Sequence, residues 1–316
     1  MRRPSLALVL SAGLLLAGCS ASTSAPAPSA ASSDGSAAAE RVVEHARGRT
    51  QVPAAPQRVV VLEPVQLDTA VALGTTPVGA AVASNVTGVP AYLEVGDAVE
   101  PVGTVPEPDL EAIAALRPDL VLGTQTRHGQ LYEALSRIAP TVFMASQSDP
   151  WQDNVRLVGE ALGKSDQAAQ LLDGFDARCA EVAQEHGLGA AGSAPVTANL
   201  LRPRDGGTFS LYGPTSFAGS ALECTGLDLP DRDWGGGIQV DLSAERVPEA
   251  AADHLFVPAD PGSLDDPAAV PALVAGNADA FGAVHVVDTS YWISGVGPLG
   301  GRRVLDDVDR ILTEAS

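Results

Sequence analysis

The stretch SDQAAQLLDGFDARCAEVAQEH, residues 165–186, determines how the rest of this chain is organised. Its apolar side chains recur at spacings of three and four, and acidic or amide side chains fill most of the other positions. The pattern predicts one amphipathic helix whose single apolar stripe consists of Ala168, Leu172, Phe175, Cys179 and Val182. At ~1.5 Å per residue this helix would be roughly 33 Å long, about the width of a small domain. A shorter helix is predicted directly before it, over 151–162.

The segments on either side of the long helix resemble each other. Residues 110–122 read LEAIAALRPDLVL, and residues 242–257 read LSAERVPEAAADHLFV. Each has a glutamate, Glu111 or Glu245, in the first turn of a predicted short helix, then an Asp eight positions later, then an apolar strand. A strand and a helix precede each segment. Two such units in the same order predict two similar lobes joined by the long helix.

The remaining sequence alternates predicted strands and helices, which is typical of parallel sheets covered by helices. In the first half, strands are predicted at 58–62, 77–81, 119–122 and 141–144, and helices at 65–73, 110–116 and 129–138. In the second half, strands are predicted near 195–201, 253–257 and 284–287, and helices at 216–222 and 302–314. We therefore expect an α/β protein with two Rossmann-like lobes, mainly parallel sheets and one long α-helix between them.

The N-terminal residues have the features of a lipoprotein signal peptide. Two arginines precede an apolar run over 6–16 that is too short to span a bilayer, and Leu-Ala-Gly-Cys19 completes a lipobox. The expected organisation is a signal peptide (1–18), a lipidated Cys19 with a flexible Ser/Ala/Pro tether (19–40), an N-terminal α/β lobe (41–150), a helical connector (151–187) and a C-terminal α/β lobe (188–316). Such a protein would lie outside the cytoplasm, anchored by lipid to the outer face of the cell membrane.

The composition argues against several classes of function. The formal net charge is −20, and a chain this acidic repels nucleic acid and anionic membrane surfaces. Lys164 is the only lysine, so Schiff-base chemistry is not expected. The five histidines are scattered without a paired spacing for metal ligands. No nucleophile, base and orienting group can be assembled from the sequence, and we expect a protein that is not an enzyme.

Two cysteines remain when Cys19 is assigned to lipid. Cys179 lies on the stripe of the long helix, and Cys224 ends the helix after the next strand. Outside the cell two cysteines can form a disulfide, but cysteine is also among the most frequently buried residues as a free thiol. The sequence leaves both alternatives open.

Segments of both predicted lobes resemble a known family, the iron–siderophore substrate-binding lipoproteins of ABC importers. Four of these segments are PQRVVVLEP (56–64), VGTVPEPDLEAIAALRPDLVLG (102–123), LSAERVPEAAADHLFV (242–257) and VVDTSYWISGVGPLGGRRVLDDV (286–308), and the likeness extends over about 52–312. The resemblance implies two α/β lobes joined by one rigid helix, with the ligand in a cleft between them. It also implies a glutamate on each lobe that docks on the permease dimer, and the matching positions are Glu111 and Glu245.

The loops that follow predicted strand ends supply candidate ligand-binding residues, because ligands of α/β sheets lie beyond the carboxyl ends of the strands. Aromatic faces can cover the apolar arms of a siderophore, and guanidinium groups can meet its iron-bound oxygens. Arg202 and Trp292 are the first choices because each follows a strand end closely. The full candidate set is Arg127, Arg202, Arg204, Tyr212, Trp234, Tyr291 and Trp292.

The leading hypothesis is a receptor that captures a ferric siderophore and delivers it to a membrane permease. No covalent cofactor and no direct protein ligand to iron are expected, since the iron would enter only as the siderophore chelate. The acidic net charge disfavours a strongly anionic tris-catecholate and leaves a hydroxamate slightly favoured.

Three alternatives stay open. The first is a receptor for another large chelate, cobalamin or haem. The second is a surface enzyme that binds a nucleotide at GVGPLG (295–300), which fits G-x-G-x-x-G but lacks a following strand and an acidic ribose contact. For that motif we expect a glycine turn into the last helix. The third alternative is a purely structural lipoprotein.

Overall fold

The computed structural model of the chain describes residues 40–84, 88–147 and 150–315. These residues belong to one compact unit. The expected signal peptide, the lipidation site Cys19 and all but the last residue of the expected tether lie outside the described residues. In the part of the chain that the structure describes, no helix is long and apolar enough to cross a membrane.

The described residues form two five-stranded sheets and a separate hairpin, together with α-helices. The strands are β1 (Glu40–His45), β2 (Gly48–Pro53), β3 (Val59–Val61), β4 (Gly79–Val82), β5 (Glu100–Thr104), β6 (Leu120–Thr124), β7 (Thr141–Met144), β8 (Ala198–Pro203), β9 (Phe209–Tyr212), β10 (Gln239–Leu242), β11 (His254–Ala259) and β12 (Ala283–Asp288). The α-helices are α1 (Pro64–Ala72), α2 (Leu110–Ala115), α3 (Gln125–His128), α4 (Tyr132–Leu135), α5 (Trp151–Leu162), α6 (Ser165–Glu185), α7 (Phe217–Cys224), α8 (Ala272–Ala275), α9 (Thr289–Trp292) and α10 (Pro298–Glu314).

The two large sheets have the same strand order. The first is β5-β4-β3-β6-β7, with all neighbouring strands parallel, and the second is β10-β9-β8-β11-β12. In the second sheet β9 is antiparallel to both neighbours, whereas β8, β11 and β12 are parallel. We call the part built on the first sheet the N-terminal lobe and the part built on the second the C-terminal lobe. The expectation of an α/β fold with two lobes of mainly parallel strands is confirmed.

The repeated aspartate of the sequence has the same structural role in both lobes. Asp119 accepts hydrogen bonds from the backbone N–H groups of Gln57 (2.7 Å) and Arg58 (2.8 Å), directly before the central strand β3. Asp253 accepts bonds from the backbone N–H and the hydroxyl of Thr197, both 2.8 Å, directly before the central strand β8. Each carboxylate therefore fixes the start of the fourth strand of its sheet against the start of the central one.

Helix α6 buries the stripe that the sequence predicts. All five stripe residues are buried, and they belong to one continuous core that includes strand residues of both lobes, such as Leu122 and Leu200. On this stripe, Phe175 packs edge-to-face against Trp151 of α5, with ring centroids 5.0 Å apart. The same ring faces Gly301 of α10, where a Cβ atom would lie 2.8 Å from Phe175. The helix thus joins the two lobes through a shared apolar core.

The structure joins Cys179 and Cys224 in a disulfide, one of the two alternatives that the sequence left open. Their Cα atoms are 5.4 Å apart, within the usual range for a disulfide. The bond connects α6 to the last residue of α7. It therefore fixes the long helix to the C-terminal lobe.

Several elements differ from the sequence-based expectations. The hairpin β1–β2 was not predicted: its two strands pair with each other, and the Ala46 N–H in its turn donates to the Phe143 carbonyl of β7, with the two atoms 3.0 Å apart. The strands β5, β9 and β10 were not predicted either. The helix expected at 129–138 is a 3₁₀ turn and the short helix α4. The buried imidazole of His128, directly before this segment, accepts the Thr124 N–H and forms a hydrogen bond with the Val105 carbonyl. These two contacts hold the chain in a turn where the sequence pattern predicted the start of a regular helix.

We expect the disulfide to contribute about 3–4 kcal/mol to the free energy of unfolding. It closes a loop of 45 residues, and a loop of this length restricts the unfolded chain by roughly that amount. The comparison is between wild type and the double variant Cys179→Ala, Cys224→Ala in urea-induced unfolding. A reductant should destabilise wild type and leave the double variant unchanged. Equal unfolding free energies for both proteins would contradict this role.

Candidate functional site

A cleft of about 1150 Å³ lies between the two lobes. Its lining residues follow the carboxyl ends of the parallel strands: Pro64 comes after β3, Ala83 after β4, Asp260 after β11 and Thr289 after β12. This is the edge at which α/β sheets bind ligands. The described residues that line it are Pro64, Leu67, Ala81, Val82, Ala83, residues 88–93, Arg202, Pro203, Arg204, Asp205, Thr208, Asp241, Pro258, Ala259, Asp260, Pro261, Asp288, Thr289, Ser290 and Ser294.

Two of the arginines expected from the sequence line this cleft. Arg202, at the end of β8, is half-buried and donates to the hydroxyl of Tyr212 at 3.4 Å. Arg204 follows it and is exposed. Within the described residues, neither guanidinium forms an ion pair with a carboxylate. Both are therefore available to an oxygen-rich anionic group.

Four aspartates share the cleft with the two arginines. Asp241 accepts from the hydroxyl of Ser210 (2.9 Å), and Asp288 accepts from the backbone N–H of Ser290 (2.7 Å). The others are Asp205 and Asp260. Four acids to two bases is close to the ratio of the whole chain, which has 39 acidic and 19 basic residues. The cleft is therefore no more acidic than the rest of the protein.

Two of the aromatic candidates, Tyr212 and Trp292, line a second, smaller cavity instead of the cleft. Trp292, a first choice of the sequence analysis, is 1% exposed, donates its Nε1 hydrogen to Asp307 (2.9 Å) and stacks on Phe256 with centroids 4.8 Å apart. The first turn of α9 directs this indole into the core. Tyr212 is also buried. Both side chains line a second cavity of about 70 Å³ together with Trp151, whose Nε1 has no hydrogen-bond partner in the part of the chain that the structure describes.

The other three candidates line neither cavity. Arg127 is held by Glu63, with the Arg127 Nη1 and Glu63 Oε2 atoms 2.7 Å apart, and Glu63 is 2% exposed. Burial raises the pKa of Glu63, an effect that Arg127 and the hydroxyl of Thr124 partly offset. Trp234 lies beneath the guanidinium of Arg232. The remaining candidate, Tyr291, donates its hydroxyl hydrogen to Asp307. The same carboxylate accepts the indole N–H of Trp292.

The aromatic residue that does line the cleft is Tyr92, which sequence reasoning did not select. It lies in the long segment between β4 and β5, and that segment leaves the carboxyl end of β4. The sequence did contain one indication of this role, because Tyr92 lies in the segment that follows the strand predicted at 77–81. The ring packs edge-to-face against Tyr291 with centroids 5.8 Å apart, and the hydroxyl donates to Asp68 at 2.9 Å.

The side chain of Asp68 binds the backbone of the glycine motif at 295–300, which was the alternative nucleotide site. Its carboxylate, buried in α1, accepts from the backbone N–H groups of Leu299 (2.9 Å) and Gly300 (2.8 Å) at the start of α10. A Cβ at Gly297 would overlap the Asp68 oxygen. The start of a helix favours an anion, and here the anion is a side chain of the other lobe. Residues 295–297 thus form the glycine turn into the last helix that the sequence analysis expected, and the alternative of a nucleotide site gets no support.

The sequence of residues 59–268 matches the family described as periplasmic binding protein. The chain belongs to the periplasmic binding protein family. It is 30% identical to the probable siderophore-binding lipoprotein YfiY of Bacillus subtilis (strain 168), over 96% of each chain. It is 31% identical to the achromobactin-binding periplasmic protein of Dickeya dadantii (strain 3937), over 81% of this chain and 86% of that one.

Solved structures agree with this family assignment. SirA of Staphylococcus aureus, complexed with staphyloferrin B, is 28% identical with a TM-score of 0.71, and the match covers 86% of this chain and 98% of SirA. The periplasmic solute binding protein of Mycobacterium smegmatis has a TM-score of 0.69 at 24% identity, which shows a common fold. The resemblance stated from the sequence motifs is confirmed.

The two glutamates of this periplasmic binding protein occupy corresponding positions. Glu111 follows β5 in the first turn of α2, where Asp109 caps the helix, and Glu245 follows β10 in a 3₁₀ turn. Both β5 and β10 are the first edge strands of their sheets, and both end at the carboxyl edge. Both glutamates are exposed. Hydrogen bonds from its own backbone N–H and from Ser243 hold the pKa of Glu245 below its usual value.

We expect Asp68 to make the folded protein more stable as the pH falls. Burial raises the pKa of Asp68 to about 6, above the ordinary value of 3.8. Between these values the folded protein binds more protons at this site than the unfolded chain. The contribution is therefore complete below pH 3.8 and is lost as the pH rises through about 6, a change of about 3 kcal/mol.

The test compares wild type with Asp68→Asn, which cannot titrate. The difference in unfolding free energy between them, measured by chemical denaturation, should move in favour of wild type by about 2 kcal/mol as the pH falls from about 7 to about 4. Other titrating groups are common to both proteins and cancel. A difference that does not change with pH would contradict the raised pKa.

Proposed function

We propose that this periplasmic binding protein captures a ferric siderophore outside the cytoplasm and delivers it to an ABC importer. The observation that carries the proposal is the inter-lobe cleft, with two guanidinium groups at its wall that have no carboxylate partner among the described residues. At about 1150 Å³ it is slightly larger than the usual small-molecule site, as a large chelate requires. The relatives support the proposal, since two are named for siderophore or achromobactin binding and SirA was solved with staphyloferrin B.

The chemistry of the cleft suits binding without catalysis. Guanidinium groups of Arg202 and Arg204 can donate hydrogen bonds to iron-bound oxygens while those oxygens stay on the metal. Iron would then enter and leave as the intact chelate, with no protein ligand of its own and no covalent cofactor. Of the seven residues proposed from the sequence as ligand contacts, these two arginines are the ones that we retain.

The charge of the cleft bears on the class of siderophore. Four aspartates and two arginines line it, so a strongly anionic complex would be repelled more than a neutral one. We therefore place a ferric hydroxamate ahead of a ferric tris-catecholate.

Two further parts of the proposal concern partners. Lipid on Cys19 would anchor the protein to the outer face of the cell membrane, and the tether would let it reach the importer. Glu111 and Glu245 would dock on a permease dimer, one glutamate from each lobe. Their exposure and their matching positions on the two sheets support this role. Two charges at the rim fix the orientation of an encounter more than they add affinity.

We expect Arg202→Ala to weaken binding of a ferric trihydroxamate by about 1–3 kcal/mol, or roughly 5- to 150-fold in Kd, because it removes a direct contact to iron-bound oxygen. The measurement is isothermal titration of purified protein with ferrioxamine B, and haem and cobalamin serve as competing chelates. Arg137→Ala is the matched control, since Arg137 is exposed at the end of α4 and does not line the cleft. Wild-type affinity in Arg202→Ala would reject this contact, and tighter binding of haem or cobalamin would reject the siderophore.

We expect the double variant Glu111→Arg, Glu245→Arg to bind the siderophore normally and to abolish uptake. Both residues are exposed, and neither lines the cleft. Uptake of radioactive iron by cells that carry each variant gives the readout. Glu44→Arg with Glu185→Arg makes the same change of charge at exposed sites on β1 and at the end of α6, and should leave uptake unchanged. Normal uptake by the first double variant would show that these glutamates are not the docking residues.

A further inference from the structure

The two walls of the cleft differ in chemistry. All described lining residues from the N-terminal lobe are apolar or glycine, apart from the hydroxyl of Tyr92: Pro64, Leu67, Ala81, Val82, Ala83, Gly88, Val89, Pro90, Ala91, Tyr92 and Leu93. All charged residues in this described lining come from the C-terminal lobe: Arg202, Arg204, Asp205, Asp241, Asp260 and Asp288. We call the first set the apolar wall and the second set the charged wall. A ligand between them contacts apolar carbon on one side and ionic groups on the other.

The apolar wall is fixed and is not a loose surface loop. Val89, Tyr92 and Leu93 pack against or belong to the core that runs through both lobes. The hydroxyl of Tyr92 is directed to Asp68, which removes it as a donor to a ligand and leaves the ring to form the wall. A Cβ at Gly295 would overlap this hydroxyl, so the glycine segment before α10 closes directly over it.

Asp68 connects the apolar wall to the opposite lobe. One carboxylate accepts from Tyr92 on the wall and from the Leu299 and Gly300 N–H groups at the start of α10. Loss of this carboxylate would free the tyrosine and the helix start together. Asp68 acts on the ligand only through Tyr92, because it does not line the cleft itself.

We propose that the cleft selects ferric chelates that carry an apolar arm, which lies on the apolar wall while the iron-bound oxygens face the charged wall, and that Asp68 is the positioning residue for this wall. The inference rests on the proposed function, because it assumes that the ligand is a ferric chelate. It adds a requirement that the arginines alone do not impose. Iron coordination is not enough, and the periphery of the chelate must have one apolar side.

The test uses two ferric complexes with the same iron centre and the same charge. These are the ferric complexes of N-acetyl- and N-octanoyl-desferrioxamine B, which differ only in the length of the acyl chain. Wild-type protein should bind the octanoyl complex at least about tenfold more tightly in isothermal titration, because the extra methylene groups leave water. The metal-free octanoyl compound should bind much more weakly than its ferric complex.

Variants separate the two walls. Ala91 is an exposed residue of the apolar wall, so Ala91→Asp should remove most of the octanoyl preference without disturbing the core. Asp68→Asn should reduce the preference through Tyr92. Asp119→Asn also removes a carboxylate that accepts two backbone N–H groups, but at the amino edge of the sheet, and should leave the preference unchanged. Arg202→Ala should weaken both complexes by the same factor.

The outcomes distinguish this inference from the proposed function. Equal affinity of wild type for the two ferric complexes overturns the apolar wall and leaves the siderophore proposal standing. Equal affinity for the ferric and metal-free octanoyl compounds overturns the siderophore proposal and, with it, the selection of ferric chelates, and leaves only an apolar surface that binds the acyl chain. An unchanged preference in Asp68→Asn, or an equal loss in Asp119→Asn, overturns the role of Asp68. Binding of neither ferric complex overturns both proposals.

Discussion

The burial of one apolar stripe on α6 is the constraint on which the rest of this structure depends. Each sheet has a face that must be covered, and the stripe provides part of the cover for both lobes within one core. Phe175 lies between Trp151 of α5 and Gly301 of α10, so the long helix contacts the connector and the last helix at once. Because this core is shared, movement of one lobe against the other would open a packed interior, which costs free energy.

The cleft follows from this arrangement. Both sheets have the same strand order, and the segments after the carboxyl ends of their strands meet across the gap between the lobes. Between the same two lobes, the carboxylate of Asp68 in α1 accepts hydrogen bonds from the backbone N–H groups at the start of α10. A buried carboxylate that accepts three hydrogen bonds has one geometry in which all are satisfied, so it orders its partners. Shared packing and this polar contact together hold the two walls in place.

The sequence predicted those features that depend on local periodicity. The five apolar residues predicted for the stripe of α6 are the five that the helix buries. Strand β7 has the bounds expected from its apolar run. The repeated Asp pointed to two similar lobes, and the structure gives the reason, since Asp119 and Asp253 each brace a central strand.

Features that depend on the direction of a side chain were not predictable in the same way. Trp292 and Arg202 both follow strand ends, but a first helical turn directs Trp292 into the core while Arg202 lines the cleft. The glycine motif at 295–300 matched a nucleotide pattern because its helix start does bind an anion. That anion, Asp68, lies more than two hundred residues away in sequence, and local pattern carries no information on such a contact.

The central claim is that a ferric siderophore binds between the two walls of one cleft. Hydrogen–deuterium exchange of the full protein, with and without ferrioxamine B, tests it most directly. The account predicts slower exchange in residues 88–93 on one wall and in residues 202–205 and 288–290 on the other, with no change in the hairpin β1–β2. Protection confined to one lobe, or protection centred on the hairpin, would contradict it.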